Sequence, residues 1–349
     1  VMDKRLRIVQ IMTATGGVMG EIERHTFDLC SALAEKHEVH LLADKPYAAT
    51  CPKNVIFHAV DFRQSQWNPW LYWQIAQLIN HLQPQLVHAQ SARASYLVSK
   101  MKWFFQHVMF VATTHCLKTN HHAYGLMDGV IATNTSLVAD VSDEKVRVIY
   151  HGSKPPFALT PHEKKEIKLR LLVGREQPLI MTVGHFLASE GLDVLLRACV
   201  DVDAKLLIVG DGVERKRLEK LTKTLNLEQQ VQWLGQRKDI GHLLQSVDLC
   251  VISSMSDEFP SIMTDALQVG CPVIATDTGG VKDWLSEGLL CPANNVEALH
   301  SLLCDTLRRL PLLRKNYLPI FLRAQQELTL ATMAQRTQDF YLALLEQRR

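Results

Sequence analysis

The chain has 349 residues, 47% of them hydrophobic and 21% charged, a composition typical of a soluble globular protein long enough for two domains. A formal net charge of +2 gives no indication of a nucleic-acid partner. The eight cysteines form no Cys-x-x-Cys pair, which favours a reducing compartment over a disulfide framework.

Short apolar runs alternate with longer helical patterns in the first half of the chain, which predicts a parallel sheet with crossover helices. Residues 6–11 have the pattern of a buried strand and not of a secretory signal, and no apolar run reaches the roughly 20 residues of a spanning helix. We therefore expect a cytoplasmic protein. The predicted strands are residues 7–11, 38–42, 86–89, 109–113, 130–132 and 147–150, and the predicted helices are 21–35, 70–82 and 92–105.

The second half repeats the alternation after a stretch rich in proline and glycine at 151–156, which predicts a linker. Its predicted strands are 179–183, 205–209, 231–234, 249–252 and 272–275, and residues 330–347 form a predicted terminal helix. Ligands of open parallel sheets bind outside the carboxyl ends of the strands, so residues that directly follow strands are the candidates for a site.

Several motifs of the second half occur in a specific order. A strand ending at Val183-Gly184 precedes Glu-Gly-Leu-Asp-Val-Leu-Leu at 190–196, Leu-Ile-Val-Gly-Asp-Gly at 207–212, Val-Gln-Trp-Leu-Gly at 231–235, and Asp257-x7-Asp265. This series resembles the retaining glycosyltransferases of family 4, in which the last motif is Glu-x7-Glu, and the resemblance extends over most of the chain.

The resemblance implies the GT-B fold, an α/β fold with two Rossmann-like domains of parallel sheet that face each other across a cleft. Residues 1–155 would form the acceptor domain, joined by the C-terminal helix 330–349. Residues 156–329 would bind the nucleotide sugar.

By this resemblance, His115 and Asp257 are the catalytic candidates. The family has a histidine beside the anomeric centre where His115 ends a predicted strand, and the alternative is a strand-end histidine bonded to a nearby carbonyl. Asp257 would accept hydrogen bonds from the donor sugar. The nearby Cys116, His121 and His122 fit no common zinc spacing, so no metal is expected.

The remaining candidates would bind the donor. The start of the helix after residue 257 carries free N–H groups and a partial positive charge, which suit phosphate. Asp265 would accept from the ribose, and aspartate at both positions has a shorter reach than glutamate. Arg237 has a second interpretation as an exposed surface charge. Gly16-Gly17 has a second interpretation as a flexible turn between strand and helix, and the neighbourhood of Gly20 could instead be the equivalent of the family's glycine pair. The predicted donor-binding residues are Gly16, Gly17, His185, Gly210, Arg237, Glu258, Phe259, Pro260, Ser261 and Asp265.

Two positions depart from the family pattern. Family members have an arginine where His185 stands and a lysine where Glu190 stands, and these cations neutralise the leaving diphosphate. A cation from elsewhere, a slow enzyme and a loss of transfer chemistry are the three consequences we consider. Asp201-Val202-Asp203 matches the metal-binding Asp-x-Asp of a different fold, but its position before a strand favours a solvated turn.

Two stretches, 66–73 and 100–107, combine aromatic with polar or basic residues. They suit a membrane interface, and ordinary helix packing also explains them.

The sequence thus predicts a retaining glycosyltransferase that moves a sugar from a UDP-, GDP- or ADP-type donor to a glycan or lipid-linked acceptor, without a metal or other cofactor. A role in lipopolysaccharide or surface-polysaccharide synthesis is expected by association, with peripheral contact at the cytoplasmic membrane. A non-catalytic homologue that binds sugar or nucleotide and a nucleotide-sugar epimerase are the alternatives.

Overall fold

The computed structural model describes residues 5–17, 19–115, 121–138, 144–172, 176–255 and 260–348, with the side chain of His121 left out. The chain forms two compact units. The first comprises residues 1–152 and 330–349, and the second comprises residues 153–329.

The first unit contains a seven-stranded sheet with the order β3-β2-β1-β4-β5-β6-β7, and its strand pairs are parallel. Alternate residues of β1 enter the cores on the two faces of this sheet, with Val9 and Ile11 on one face and Ile8 on the other. The strands are β1 (Arg7–Ile11), β2 (Glu38–Ala43), β3 (Ile56–Ala59), β4 (Leu86–Ala89), β5 (Met109–Thr114), β6 (Gly129–Ala132) and β7 (Val146–Val148).

Helices cover both faces of this sheet. The helices that connect its strands are α1 (Glu21–Leu33), α2 (Pro69–Leu82), α3 (Ala92–Met101) and α4 (His121–Gly125).

The C-terminal helix of the chain, α13 (Leu330–Gln347), also belongs to the first unit. Met333, Phe340 and Leu344 are buried in the same core as Ile8. A Cβ on Gly129 would lie 2.5 Å from Cδ1 of Leu344 and 2.6 Å from Cζ of Phe340, so glycine at the start of β6 permits the close approach of this helix.

The second unit contains a six-stranded parallel sheet with the order β10-β9-β8-β11-β12-β13. Its strands are β8 (Leu179–His185), β9 (Lys205–Asp211), β10 (Val231–Gly235), β11 (Leu249–Ile252), β12 (Val273–Thr276) and β13 (Leu290–Cys291). Its helices are α5 (Pro161–Leu172), α6 (Leu192–Ala198), α7 (Arg215–Thr224), α8 (Ile240–Ser246), α9 (Ser261–Gln268), α10 (Val296–Arg308), α11 (Leu310–Asn316) and α12 (Leu318–Glu327).

The two units divide three residues before the boundary that the sequence suggested. The Ser153 N–H donates to the Leu328 carbonyl at 3.0 Å, and its hydroxyl donates to Oε1 of Gln268 at 3.3 Å. These contacts hold residue 153 to the second unit, so the chain changes unit after Gly152.

The strands follow the predicted pattern with two additions, and the predicted strand 147–150 lies at Val146–Val148, whereas two predicted helices end earlier than expected. β3 and β13 were not predicted from the sequence, and the predicted helix 92–105 ends at Met101, followed by a 3₁₀ turn at Lys102–Phe104. The predicted helix 21–35 ends at Leu33, because the chain turns there and the His37 N–H bonds back to the Leu33 carbonyl at 2.9 Å. No helix among the described residues is both long and apolar enough to cross a bilayer.

Candidate functional site

The predicted site residues of the first unit follow β1 and β5, which lie on either side of β4. Since all three strands are parallel, their carboxyl ends share one edge of the sheet. Gly16 and Gly17 form an exposed turn after β1 with φ of +91° and +73°. A Cβ on Gly17 would lie 2.9 Å from Cβ of Pro46, so this turn requires glycine.

Gly20 has a different role from the glycine pair. It is the N-cap of α1, its φ is −96°, and its N–H donates to Oε2 of Glu23 at 3.0 Å. The Glu23 carboxylate therefore already occupies this donor at the start of α1. Of the two candidates, Gly16-Gly17 is the one that leaves an exposed turn for a ligand.

His115, directly after β5, belongs to a cluster of three imidazoles. The His25 ring packs edge-on against His115 with a centroid separation of 4.8 Å, and against His151 at 5.1 Å. His25 is buried on α1, and Nε2 of His151 lies 3.5 Å from the Asp28 carboxylate one turn further along that helix. We name His25, His115 and His151 the histidine cluster.

Burial controls the charge of two members of the histidine cluster, His25 and His115. It lowers the pKa of His115 to about 3, with a contribution from His151, and lowers the pKa of His25 well below its usual value of 6.5. Both imidazoles are therefore neutral at pH 7. Within the described part of the chain, neither nitrogen of His25 nor Nε2 of His115 has a hydrogen-bond partner. His115 can thus act as a hydrogen-bond donor or acceptor, but it carries no charge.

A buried polar network lies beside this cluster. The His88 imidazole, on β4, is 2.7 Å from the Thr113 hydroxyl through Nε2 and 2.6 Å from the Tyr341 hydroxyl through Nδ1. Gln10 and Gln90 complete the network: Nε2 of Gln10 donates to Tyr341, and Nε2 of Gln90 donates to Oε1 of Gln10 at 2.7 Å. The network ties α13 to the strands that carry the candidate site.

In the second unit, the predicted residues lie at the carboxyl ends of β8 and β9 or follow β10 and β11, and these four strands are neighbours in the sheet. Gly184 pairs with Gly210, and His185 pairs with Asp211. Gly210 has a φ of +130°, and a Cβ there would lie 1.9 Å from the Gly184 carbonyl oxygen. Glycine at 210 is therefore required by the sheet itself, whatever it contacts in a ligand. His185 is exposed at the same edge.

The loops after β8 and β11 are bonded to each other. The Ser253 hydroxyl donates to the Glu190 carbonyl at 2.8 Å, and the Met255 N–H donates to the Ser189 carbonyl at 2.8 Å. Gly191, with a φ of +61°, approaches the Ser253 carbonyl so closely that a Cβ would lie 2.1 Å from it. These contacts place Glu190 beside the segment that leads to Asp257.

Asp257, Glu258 and Phe259 lie outside the described residues. The description resumes at Pro260, the N-cap of α9, with Ser261 as the first residue of the helix. Asp265 is half-buried on this helix, and its charge contributes to the raised pKa of the Cys250 thiol on β11. Because α9 connects the parallel strands β11 and β12, it begins on the side of the carboxyl end of β11, and Asp265 lies further along the helix, near Cys250.

Arg237 follows β10 and forms an ion pair with Asp239. Its Nε and Nη2 donate to the two carboxylate oxygens of Asp239 at 2.8 and 2.7 Å. Arg215, which the sequence analysis missed, lies at the same edge of the sheet. Its guanidinium is 3.2 Å from Asp211 and 2.8 Å from Glu219, so two carboxylates already balance its charge.

Two further features of the described residues add nothing to the candidate site. No group of three or more His, Cys, Asp or Glu side chains in the described ranges is arranged to hold a metal ion. A cavity of about 550 Å³ opens beside β13, between Asp277 and Pro292, and the described residues that line it do not include the predicted site residues.

Comparison with known families matches both units. The model described as glycosyl transferases group 1 matches residues 163–315, and the model described as glycosyltransferase family 4 matches residues 22–155. The first match lies within the second unit, and the second match begins in the first unit and ends three residues past its boundary at 152.

Individual relatives share 30% identity or less with this chain in the two examples that follow. An uncharacterized glycosyltransferase of Methanocaldococcus jannaschii is 30% identical over 169 residues, which are 44% of this chain and 43% of that protein. The lipopolysaccharide core biosynthesis glycosyltransferase LpsE of Rhizobium meliloti is 24% identical over 210 residues, 59% of each chain. This chain therefore spans about half the length of these relatives.

The crystal structure of HepE from Anabaena in complex with UDP superimposes with a TM-score of 0.82 and 18% identity, covering 97% of this chain and 100% of that one. At this identity the likeness establishes the GT-B fold and nothing more specific.

Proposed function

Because this chain belongs to the GT-B glycosyltransferases, with a family-4 first half and a group-1 second half, we propose that it transfers a sugar with retention from a nucleotide-sugar donor to a hydroxyl of a glycan or lipid-linked acceptor. The observation that carries the proposal is the alignment of Gly210, His185 and the start of α9 along one edge of the second sheet. Parallel sheets bind nucleotides at this edge.

The donor's phosphates would lie at the start of α9. Helix N-termini bind phosphate through unpaired N–H groups and the helix dipole. The predicted roles are phosphate contacts near Phe259, Pro260 and Ser261, a ribose contact for Asp265, and a sugar contact for Asp257. UDP in the crystal structure of HepE supports a nucleoside-diphosphate donor, and GDP- and ADP-sugars remain candidates.

His115 would contact the reacting groups as a neutral imidazole. In the proposed reaction, the bond between the anomeric carbon and the diphosphate oxygen breaks while the acceptor oxygen bonds to that carbon on the same face. The acceptor's proton passes to a phosphate oxygen of the leaving group. The anomeric carbon develops oxocarbenium character, so a nearby cationic imidazole would be unfavourable and a neutral one is not.

In our proposal this enzyme is slower than its relatives, because His185 and Glu190 stand where the family has an arginine and a lysine. The main-chain carbonyl of Glu190 accepts from Ser253, in the segment that leads to Asp257, and a carboxylate there would oppose the developing charge of the diphosphate. Arg215 offers little compensation, because Asp211 and Glu219 already share its charge. The main-chain N–H groups of α9 would then carry most of the stabilisation of the leaving group.

We further propose that transfer needs no metal or other cofactor, as is general in the resembling family. Lipopolysaccharide or surface-polysaccharide synthesis is the proposed setting, supported by the likeness to LpsE of Rhizobium meliloti. The proposed location is the cytoplasm, with peripheral contact at the inner face of the cytoplasmic membrane.

A panel of nucleotide sugars tests the proposal. Purified protein, treated with EDTA, is incubated with each donor and with glycan acceptors, and NMR gives the anomeric configuration of the product. The proposal predicts a glycoside with the donor's configuration. An altered free nucleotide sugar would identify an epimerase, and calorimetric binding of the donor without turnover would identify a non-catalytic homologue.

A further inference from the structure

The first unit exposes an unusual set of aromatic side chains. Five of them are between 51% and 78% exposed, although large aromatic side chains are normally buried. We name this set the aromatic surface: Trp67, Trp70, Trp73, Trp103 and Phe104.

The aromatic surface is built on two neighbouring helices. Trp70 and Trp73 are three residues apart on α2, and their rings stack with centroids 4.4 Å apart. Trp67 packs edge-on against Tyr96 of α3 at 5.8 Å, and Nζ of Lys100 lies 5.3 Å from the centre of the Tyr96 ring. Trp103 follows Lys100 in the turn after α3, so the surface continues from the start of α2 to the end of α3.

The helix cap and the buried face of α2 determine that its two tryptophans face outward. The Asn68 side chain caps the helix by accepting from the Trp70 N–H at 3.0 Å, and Pro69 occupies the first helical position. Leu71, Ile75 and Ile79 take the buried face of the helix. Trp70 and Trp73 must then lie on its outer face, because the inner face is already occupied.

The charged side chains of this part of the chain are all basic. Residues 62–115 contain no Asp or Glu, although the whole chain has 36 such residues in 349. The same stretch contains four cations, Arg63, Arg93, Lys100 and Lys102. Asp61 pairs with Arg63 at 2.9 Å and Asp128 pairs with Lys102 at 2.5 Å, so Arg93 and Lys100 supply the positive charge beside the exposed aromatics. Neither of the two helices carries a carboxylate that could repel an anion.

We propose that the aromatic surface docks on a bilayer that contains anionic lipids. Tryptophan is enriched at membrane–water interfaces, where its ring is buried and its N–H stays hydrated, and lysine adds attraction to anionic headgroups. A second copy of the chain is a poorer fit, since it would bring cationic surfaces together. The inference specifies the surface and the lipid chemistry of the membrane contact proposed above and depends on that contact, but not on the identity of the donor.

Intrinsic fluorescence gives a direct test. Four of the six tryptophans of the chain lie in the aromatic surface, and the other two, Trp233 and Trp284, lie in the second unit. Vesicles of phosphatidylethanolamine with phosphatidylglycerol are expected to shift the emission to the blue and to co-sediment with the protein. Vesicles of phosphatidylcholine alone, or 0.5 M NaCl, are expected to reduce both effects.

Two double variants and a matched control locate the binding surface. Trp70→Ser with Trp73→Ser, and Trp103→Ser with Phe104→Ser, are each expected to weaken vesicle binding roughly tenfold or more through the lost interfacial contact. Phe157→Ser removes a side chain that is 91% exposed in the second unit and is expected to bind vesicles as the wild type does.

Several outcomes would overturn the inference. They are wild-type protein that binds neither type of vesicle, double variants that bind as tightly as the wild type, and self-association in sedimentation velocity that the double variants abolish. Transfer to a soluble acceptor should be unchanged in both double variants. If transfer fails in the wild type while vesicle binding persists, the proposed enzyme activity is wrong and the docking surface stands.

Discussion

Replacement of His88 by glutamine should change the stability of the first unit in a pH-dependent way. His88 is fully buried and hydrogen-bonded through both nitrogens, to Thr113 and to Tyr341. Burial lowers its pKa to about 3, with a contribution from His115. The folded protein therefore keeps this imidazole neutral under conditions in which the unfolded chain binds a proton.

The size of the effect follows from proton linkage. A histidine in the unfolded chain has a pKa near 6.5, so it is nearly fully protonated at pH 5.0, whereas His88 in the folded protein is not. Stability is complete above pH 6.5 and decreases as the pH falls from there towards 3. Between pH 7.5 and pH 5.0, His88 should cost the folded state about 2 kcal/mol.

Glutamine retains hydrogen-bonding groups but cannot titrate. Whatever His88→Gln costs at pH 7.5, it should cost about 2 kcal/mol less at pH 5.0. Urea unfolding at the two pH values, monitored by hydrogen exchange of the β4 and β5 amides, measures this difference in the first unit. His107→Gln controls for loss of an exposed imidazole. An equal cost of His88→Gln at both pH values would refute the reasoning, since it would mean that His88 takes up a proton in the folded state.

Three other substitutions test separate parts of the site. Gly210→Ala should lower the melting temperature of the second unit, because its Cβ would clash with the Gly184 carbonyl, and calorimetry should show no such loss for Gly288→Ala, where an added Cβ meets nothing within 4 Å. His115→Ala should lower kcat roughly a hundredfold by removing a neutral group at the reacting centre, with little change in donor binding by calorimetry; an unchanged kcat would remove His115 from the mechanism. Glu190→Lys should raise kcat by bringing a cation to the leaving diphosphate, and a decrease would show that Glu190 has a positive role of its own.

Much of the fold follows from the local pattern of the sequence. The terminal helix Leu330–Gln347 coincides with its prediction, and strands such as Arg7–Ile11 and Leu249–Ile252 do as well. The helix has one buried apolar face, and the two strands are short apolar runs because both faces of their sheets are buried. β3 was missed because it is a four-residue edge strand whose residues are partly exposed, so it lacks such a signal. β13 has only two residues.

The candidate site was only partly predictable. The glycines and the residues after strands were identified because parallel strands bring their carboxyl ends to one edge. The partners of His115 were not identified, because His25 and His151 come from distant parts of the chain and meet only through the packing of α1 on the sheet. The ion pair of Arg237 with Asp239 is a surface detail that no periodicity encodes.

The transfer of a labelled sugar from its nucleotide donor to a hydroxyl acceptor, by the wild type and by Asp257→Ala, tests the account most directly. Asp203→Ala, at an exposed turn of the second unit, is the matched control. We predict labelled glycoside with the wild type and the control, and none above background with Asp257→Ala, whose circular dichroism should be unchanged. Undiminished transfer by a folded Asp257→Ala protein would contradict the proposed site, and no glycoside with any donor in the wild type would contradict the proposed activity.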